Sequence, residues 1–470
     1  MFADVDKKAW RALIAAQLGW MLDAMDFLLF TFALLPIREE LALTKAQATL
    51  PITFALIASA IGGIVFGRLA DRIGRVRAMT LSILLYSLAT AGMATAQNLW
   101  QLVAWRIFVG FGMGGEWSAG SVLVAETWPA KHRAKAMGLM QAGWAIGALL
   151  AAGISSLVLE SYGWRVLFLI GAAPAALAFF IRRNVEEPQL WREQKEAPAR
   201  FGEIFAAPHG RSVLLATLLA GSVLTAYWGV TSWLPGFLAT PVAEGGAGLS
   251  LTTSARWLIL LQVGAFFGYT TFGIIADKIG RRPAFTLFMI GATAVVPLFA
   301  FGARSTMTLL IVGPLVGYFA HGYFSLFGTM LAELFPTRLR ATAQGFCYNA
   351  GRLMSALAPF GIGVAATRYG LNFAIAADAV FFALGGILIW FLPEKPVFVD
   401  GRQDPYDLDF LIEFVAVEAG QRPYRPLLDR FHVRCAFLPI KSPTVAGLDR
   451  DGWISRYRDD KWAVLEAPPR

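Results

Sequence analysis

A chain of 470 residues that is 57% hydrophobic, only 16% charged and formally +9 lies outside the composition of a water-soluble domain. The basic excess falls on alternate loops, the signature of membrane topology, and nucleic acid is not an expected partner. Two cysteines, Cys347 and Cys435, and four scattered histidines supply neither a disulfide framework nor a metal cluster, and no cofactor is expected.

Apolar runs of about 20 residues or more recur over the first 395 positions, each able to cross a hydrocarbon core as a helix. They predict twelve spans, at about 10–36, 46–69, 76–97, 99–128, 133–159, 163–183, 211–239, 250–277, 282–303, 306–333, 338–367 and 370–393. Basic residues crowd one set of loops, as in Arg68, Arg72, Arg75 and Arg77 or Arg338 and Arg340, so both termini are expected in the cytoplasm of a cell membrane, the inner one in a bacterium. The first run is too long for a cleaved signal peptide and leads into a second span.

The first span carries Asp23 and Asp26, three apart and so on one face near its middle. Both cannot cheaply be ionised there, which suits a proton acceptor on a transport path; alternatively, one caps a broken helix or bonds a neighbouring one. The second span runs into GRLADRIGRVRAM, Gly67 to Met79. The fourth, WRIFVGFGMGGEWSAGSVLVAE, sets Glu116 in the middle of a glycine-rich helix. An ionisable group near the centre of a span costs roughly 2.5 kcal/mol or more by insertion scales, so it faces a partner or a water-filled path. Arg106 and Glu126 each lie roughly 15 Å along the helix from it and on other faces. Its partners are therefore expected from the first and eleventh spans, in a proton-coupling or substrate-path role, while Gly110, Gly112, Gly114 and Gly115 let helices pack closely. Gln141 in the fifth span is a candidate cavity residue.

FGIIADKIGRRPAF, after the eighth span, repeats the earlier loop, with Asp277 aligned to Asp71 and Arg281 to Arg75. AETWPAKHRAKAMG from Ala125 likewise matches AELFPTRLRATAQG from Ala332. Both offsets are close to 206 residues, so the membrane part reads as two six-helix halves in parallel repeat, 1–200 with its cytoplasmic linker and 201–395. In the eleventh span, CYNAGRLMSALAPFG places Arg352 where its guanidinium cannot snorkel to water, one turn from Tyr348. It needs an anion: a substrate carboxylate held in two parallel bonds, or a permanent internal pair with Glu116, Asp26 or Asp378. His321, Tyr227, Gln262 and Asn349 are weaker cavity candidates, and Asp378 on the twelfth span is left outside the site. Beyond Pro396 the composition turns charged, and 396–470 reads as a small soluble cytoplasmic α/β tail. Its expected elements are a strand in FVDGR, a helix in DLDFLIEFVAVEAG, a strand in VRCAFLPI and two strands in WISRYRDDKWAVLEA.

With the G-x-x-x-D-R-x-G-R loop after the second span, its counterpart after the eighth and twelve predicted helices, the chain resembles the major facilitator superfamily over about residues 10–395. WMLDAMDFLLF (20–30), the GGEW run (114–117), WLP (233–235) and ELFPTRLRATAQGFCYNAGR (333–352) are similar to the metabolite:proton symporters, the sialate and lactate type above all. VEEPQLW (185–191) and LPEKP (392–396) depart from the sugar-porter signatures. The resemblance implies an all-α membrane fold working by alternating access, with Gly67, Asp71, Arg72 and Arg75, and by repeat Asp277 and Arg281, tying helix ends together in the outward-open state. It also favours Asp26 as a functional acid. The expected activity is secondary active, proton-coupled transport of a small organic anion by a single-chain unit in the lipid bilayer. Arg352, Gln141 and Tyr348 would bind substrate, and Glu116, Asp26 and Asp23 would handle protons. A sugar or drug-like solute, or a non-transporting sensor signalling through the tail, stands as the alternative. No nucleophile, metal ligand set or paired catalytic carboxylates point to an enzyme.

Overall fold

The structure is a computed structural model that describes residues 2, 5–129, 132–193, 200–206, 209–242, 246–249, 251–302, 306–392, 413–414, 416–417, 420–430, 433–458, 460 and 462–468. The chain divides into two compact units, Met1–Pro393 and Glu394–Arg470.

Among the described residues the regular structure of the first unit is all helical. Its first half holds α1 (Lys7–Glu40), α2 (Lys45–Ile73), α3 (Arg75–Met93), α4 (Leu99–Thr127), α5 (Arg133–Ile170) and α6 (Pro174–Asn184). A short α7 (Gln189–Arg192) and a 3-10 turn (Phe201–Phe205) lie in the linker. The second half holds α8 (Gly210–Ala239), α9 (Leu251–Ile279), α10 (Arg281–Gly302), α11 (Thr306–Gly322), α12 (Phe324–Leu334), α13 (Arg340–Ser355), α14 (Ala358–Tyr369), α15 (Leu371–Ala377) and α16 (Ala379–Leu388). Local chemistry sets several starts. The Thr44 hydroxyl accepts from Gln47 N–H while the Gln47 side chain accepts from Thr44 N–H, a capping box that opens α2, and Asn98 caps α4 through Gln101 N–H.

Among the described residues ten stretches are long and apolar enough to cross a membrane. One of them, Arg133–Ala178, is two passes joined at Gly163, whose φ of 77° breaks the helix. The eleventh pass is α13 followed by α14, polar over Gln344, Asn349 and Arg352 and interrupted before Pro359, which has no N–H to continue the ladder, so that neither piece alone is long enough to cross. With these two the pass count is the twelve read from the sequence. The repeat is visible in the turns as well: Gly74 and Gly280 follow α2 and α9 with φ of 108° and 91°, and Gly163 and Gly370 precede the sixth and twelfth passes with φ of 77° and 86°.

In the second unit, β1 (Cys435–Pro439), β2 (Ile454–Arg458) and β3 (Trp462–Glu466) form an antiparallel sheet of order β1-β3-β2 with a register shift between Ser455 and Tyr457. The helix Pro443–Arg450 supplies Val445 and Leu448 to a small core with Leu438, Ala463 and Leu465. The three strands fall where VRCAFLPI and WISRYRDDKWAVLEA place them. The strand expected at 398–402 lies outside the described residues, as does most of the expected helix over 407–420.

Candidate functional site

The two halves are tied together at the end of the molecule where the basic loops gather. Asp71, at the foot of α2, accepts from Thr342 N–H at 2.8 Å, from the Thr342 hydroxyl at 2.7 Å and from Ala341 N–H at 3.3 Å, so a carboxylate of one half caps α13 of the other. Arg75 lies 3.2 Å from Asp71 and makes a two-pronged contact with Glu126, at 2.9 and 3.1 Å. Glu126 in turn accepts from Arg340 across the interface at 2.8 Å. The repeat builds the same figure again: Glu333 accepts from Arg281 at 2.9 Å and from Arg133 of the first half at 3.3 Å, and Asp277 lies 2.9 Å from Lys135. Gly67 is needed for this contact, because a Cβ there would lie 2.5 Å from the Ala341 carbonyl oxygen. Of the six gating candidates, Gly67, Asp71, Arg75, Asp277 and Arg281 enter the two networks or their contact, whereas Arg72 is exposed beside them.

Nearer the middle of the bundle, Glu116 is fully buried and its carboxyl lies against Gly19 of α1, where a Cβ would come within 2.4 Å of Oε1. Asp23, one turn further along α1, is within electrostatic range of Glu116, Arg352, Asp26 and Arg106. Neither Glu116 oxygen has a hydrogen-bond partner among the described residues, and what the first span brings within electrostatic range of it is a second acid, Asp23. The partner expected from the eleventh span is turned elsewhere: Arg352 donates to the Ser59 hydroxyl of α2 at 2.6 Å, stands 5.2 Å from the centre of the Tyr348 ring, and forms no ion pair with Glu116, Asp26 or Asp378 among the described residues. Asp26 accepts from the Thr90 hydroxyl at 2.8 Å.

Arg106 was set aside in the sequence because spacing removes it from Glu116. Its side chain is fully buried, 4.4 Å from the centre of the Phe30 ring and 5.7 Å from that of Phe27, within electrostatic range of Asp26 and Asp23. An arginine about a quarter of the way into a span is the signal the sequence offers, and its surroundings are not legible there because they come from another helix, α1.

A narrow cleft opens between the halves at this level. Trp20, Gln141 and Trp144 line it from the first half, and Tyr227, Trp228, Tyr269, Phe324, Tyr348 and Arg352 from the second. All three expected substrate residues, Arg352, Gln141 and Tyr348, are thus brought to one cavity. The Gln141 amide oxygen accepts from Trp117 Nε1 at 3.0 Å, and the Trp117 ring stacks on Tyr348 with centroids 3.8 Å apart, joining the two halves directly below the cleft. The cavity volume is about 20 Å³, room for about one water. A metabolite therefore enters only when the halves move. The aromatic walls were not legible as a site, since tryptophans and tyrosines spread over five helices carry no spacing that connects them. Among the described residues no group of three or more acidic, histidine or cysteine side chains could hold a metal ion.

The Major Facilitator Superfamily profile matches residues 17–255 and 237–438. A cis,cis-muconate transport protein of Acinetobacter baylyi is 32% identical over 404 residues, covering 83% of this chain and 96% of its own length. The sialic acid transporter NanX of Escherichia coli is 31% identical over 392 residues, covering 83% and 95%. Among solved structures, the proton:xylose symporter XylE superposes with a TM-score of 0.68 at 19% identity, over 82% of this chain and 96% of that one.

Proposed function

The chain belongs to the Major Facilitator Superfamily and is a multi-pass membrane transporter, not an enzyme, and from that premise we propose that it moves a small organic anion together with protons by alternating access. The observation that carries the reading is Arg352, the single cation among the residues that line the aromatic cleft between the halves. A guanidinium that meets only the neutral hydroxyls of Ser59 and Tyr348, with Nε unpartnered among the described residues, keeps donors free for a carboxylate, and charge-assisted bonds in a dry site are among the stronger polar contacts available. The flat walls of Trp20, Trp144, Tyr227 and Trp228 suit a planar or unsaturated acid. Muconate and sialic acid, named for two relatives, are both carboxylic acids.

In this reading the basic end faces the cytoplasm, and the Asp71 and Asp277 networks hold that side shut while the opposite side admits substrate and protons. Glu116 and Asp23 lie within electrostatic range of each other in low dielectric, where a proton on either one relieves their repulsion. Loss of that proton to the cytoplasm restores the repulsion, and the arriving carboxylate competes for Arg352, which lies within reach of Asp23. Uptake into proteoliposomes, measured over a panel of carboxylates with an imposed pH gradient, tests the whole. Glu116→Gln is expected to abolish pH-driven accumulation and to leave substrate exchange in place; uphill transport at the wild-type level in that variant discards the proton role of Glu116.

A further inference from the structure

The second half contains a buried carboxyl that the reading above does not use. Asp378 sits in the twelfth pass between α15 and α16, in helical conformation with φ of −63° and ψ of −19°, and is only 5% exposed. Its carboxyl points at α8: a Cβ on Gly229 would lie 2.4 Å from Oδ2 and 2.8 Å from Oδ1. Oδ2 finds no hydrogen-bond donor among the described residues.

The repeat gives this position a meaning. Asp378 stands eight residues after Gly370, and Gly171 stands eight residues after Gly163, so the two occupy the same place at the start of the last pass of each half. In the first half that place is a glycine, and the neighbouring acid comes from α1: a Cβ on Gly171 would lie 3.1 Å from Asp26 Oδ1. In the second half the acid is on the last pass and the glycine, Gly229, is on the first. Each half thus puts a carboxyl at the junction of its first and last passes, with donor helix and glycine helix exchanged.

We propose that Asp378 is a second proton-binding site, the counterpart in the second half of the acids on α1. The inference rests on the proton-coupled reading. A proton from the water on the side opposite the basic end adds to Oδ2, and the same O–H bond breaks when the halves rock and water reaches the site from the other side. Among the described residues no cation competes with the proton, and the one group that favours the ionised form is the Val230 backbone N–H. From α8, Tyr227 is the nearest titratable group and Arg211 lies at the far end; α10 has charged residues only at its start, Arg281 and Arg282; and α14 carries Arg368 and Tyr369 at its end. That end is roughly 12 Å along the axis from Asp378 at 1.5 Å per residue. The Tyr323 phenol is within electrostatic range and donates its proton to the Val223 carbonyl at 3.0 Å.

Infrared difference spectra of the full chain in lipid, recorded between acidic and alkaline buffer, read protonated carboxyls directly and need no substrate. Asp378→Asn is expected to lose one carboxyl band from the wild-type difference spectrum. Gly229→Ala, which pushes a methyl into the carboxyl and keeps the acid, is expected to shift that same band. A difference spectrum unchanged in both variants overturns the proposal. Proteoliposomes loaded by a pH gradient with cis,cis-muconate as probe supply the second readout: fewer protons moved per muconate in Asp378→Asn is expected, and an unchanged ratio overturns the proposal. Failure of the wild type to accumulate any carboxylate sinks the proton-coupled reading instead, and the infrared result then still decides whether Asp378 titrates.

Discussion

Replacing Glu126 by glutamine tests whether the buried network at the basic end sets the resting conformation. The Glu126 side chain is fully inaccessible and holds two guanidiniums from opposite halves, Arg75 with 0% and Arg340 with 4% of the side chain exposed. Glutamine keeps the shape but removes the charge and turns an N–H toward an arginine. Removing one partner of a buried ion pair costs about 3–5 kcal/mol. Asp71 still neutralises part of the Arg75 charge, so the lower end, about 3 kcal/mol, is the appropriate figure. The penalty applies only while the halves are closed, because opening lets water solvate both arginines. At about 1.4 kcal/mol per tenfold, the equilibrium shifts by roughly a hundredfold toward the state open at the basic end. Spin labels at the exposed positions Arg77 and Lys278, with Cys435→Ser, read the separation by pulsed electron resonance in lipid. Wild type is expected to give mainly the short distance and Glu126→Gln mainly a longer one. The symmetry-related control is Glu333→Gln, whose carboxylate is 29% exposed and whose partner Arg281 is 37% exposed. Such a screened pair contributes about 0–1 kcal/mol, so its shift is at most about fivefold. Equal shifts in the two variants, or none in Glu126→Gln, would refute the claim that burial decides which network holds.

Arg352→Lys keeps a positive charge but loses the planar fork, and is expected to weaken binding of carboxylates about tenfold or more while hardly changing that of neutral analogues; equal losses for both, measured by competition in the proteoliposome assay, would make Arg352 a structural residue. In the C-terminal unit, Asp451 accepts from Arg425 Nε at 2.9 Å and from the Tyr424 hydroxyl at 2.7 Å, and the hydrogen bonds from Arg425, then from Tyr424, hold its carboxyl down at about 2. A folded value below the unfolded one of about 3.9 means a stabilisation present above that pH and lost as pH falls from about 4 through about 2. Asp451→Asn is thus expected to raise hydrogen exchange in 424–466 of the full-length protein at neutral pH, and the difference from wild type is expected to vanish at the acid limit; a pH-independent difference would point to packing alone.

What the sequence makes legible is what repeats or what is costly. The twelve passes follow from hydropathy, and the Asp71 and Asp277 loops stand out because the chain writes them twice at one spacing. Glu116, Asp23, Asp26 and Arg352 stand out because charge in a span is expensive enough to need a reason. Partner choice is not legible in the same way. Arg352 settles on Ser59, a residue with no sequence mark, and Arg106 turns to the aromatic face of α1, because both outcomes depend on the rotation and approach of helices that the linear pattern leaves open. Gly19 illustrates the point: its lack of a side chain admits the Glu116 carboxyl, yet in the sequence it is one glycine among 46.

The repeat also explains why two networks of the same residue types need not be equal partners. Asp71, Arg75, Glu126 and Arg340 sit where the halves press closest, with Gly67 letting the α2 backbone meet α13, and their side chains are almost wholly withdrawn from water. Arg281 and Glu333 keep a third or so of their side chains wet, and Arg133 reaches Glu333 at the longer distance of 3.3 Å. Salt screens the Arg281–Glu333 pair and scarcely touches the Glu126 network. Opening at the basic end should therefore be sequential: the Arg281–Glu333 pair loosens first at little cost, the Lys135–Asp277 pair, 17% and 13% exposed, follows, and the commitment comes when water reaches Glu126. In a transporter, that ordering puts the larger barrier in the half whose acids, Glu116, Asp23 and Asp26, are the proposed proton carriers, so the helix that ends in the latch, α4, is also the helix that carries Glu116.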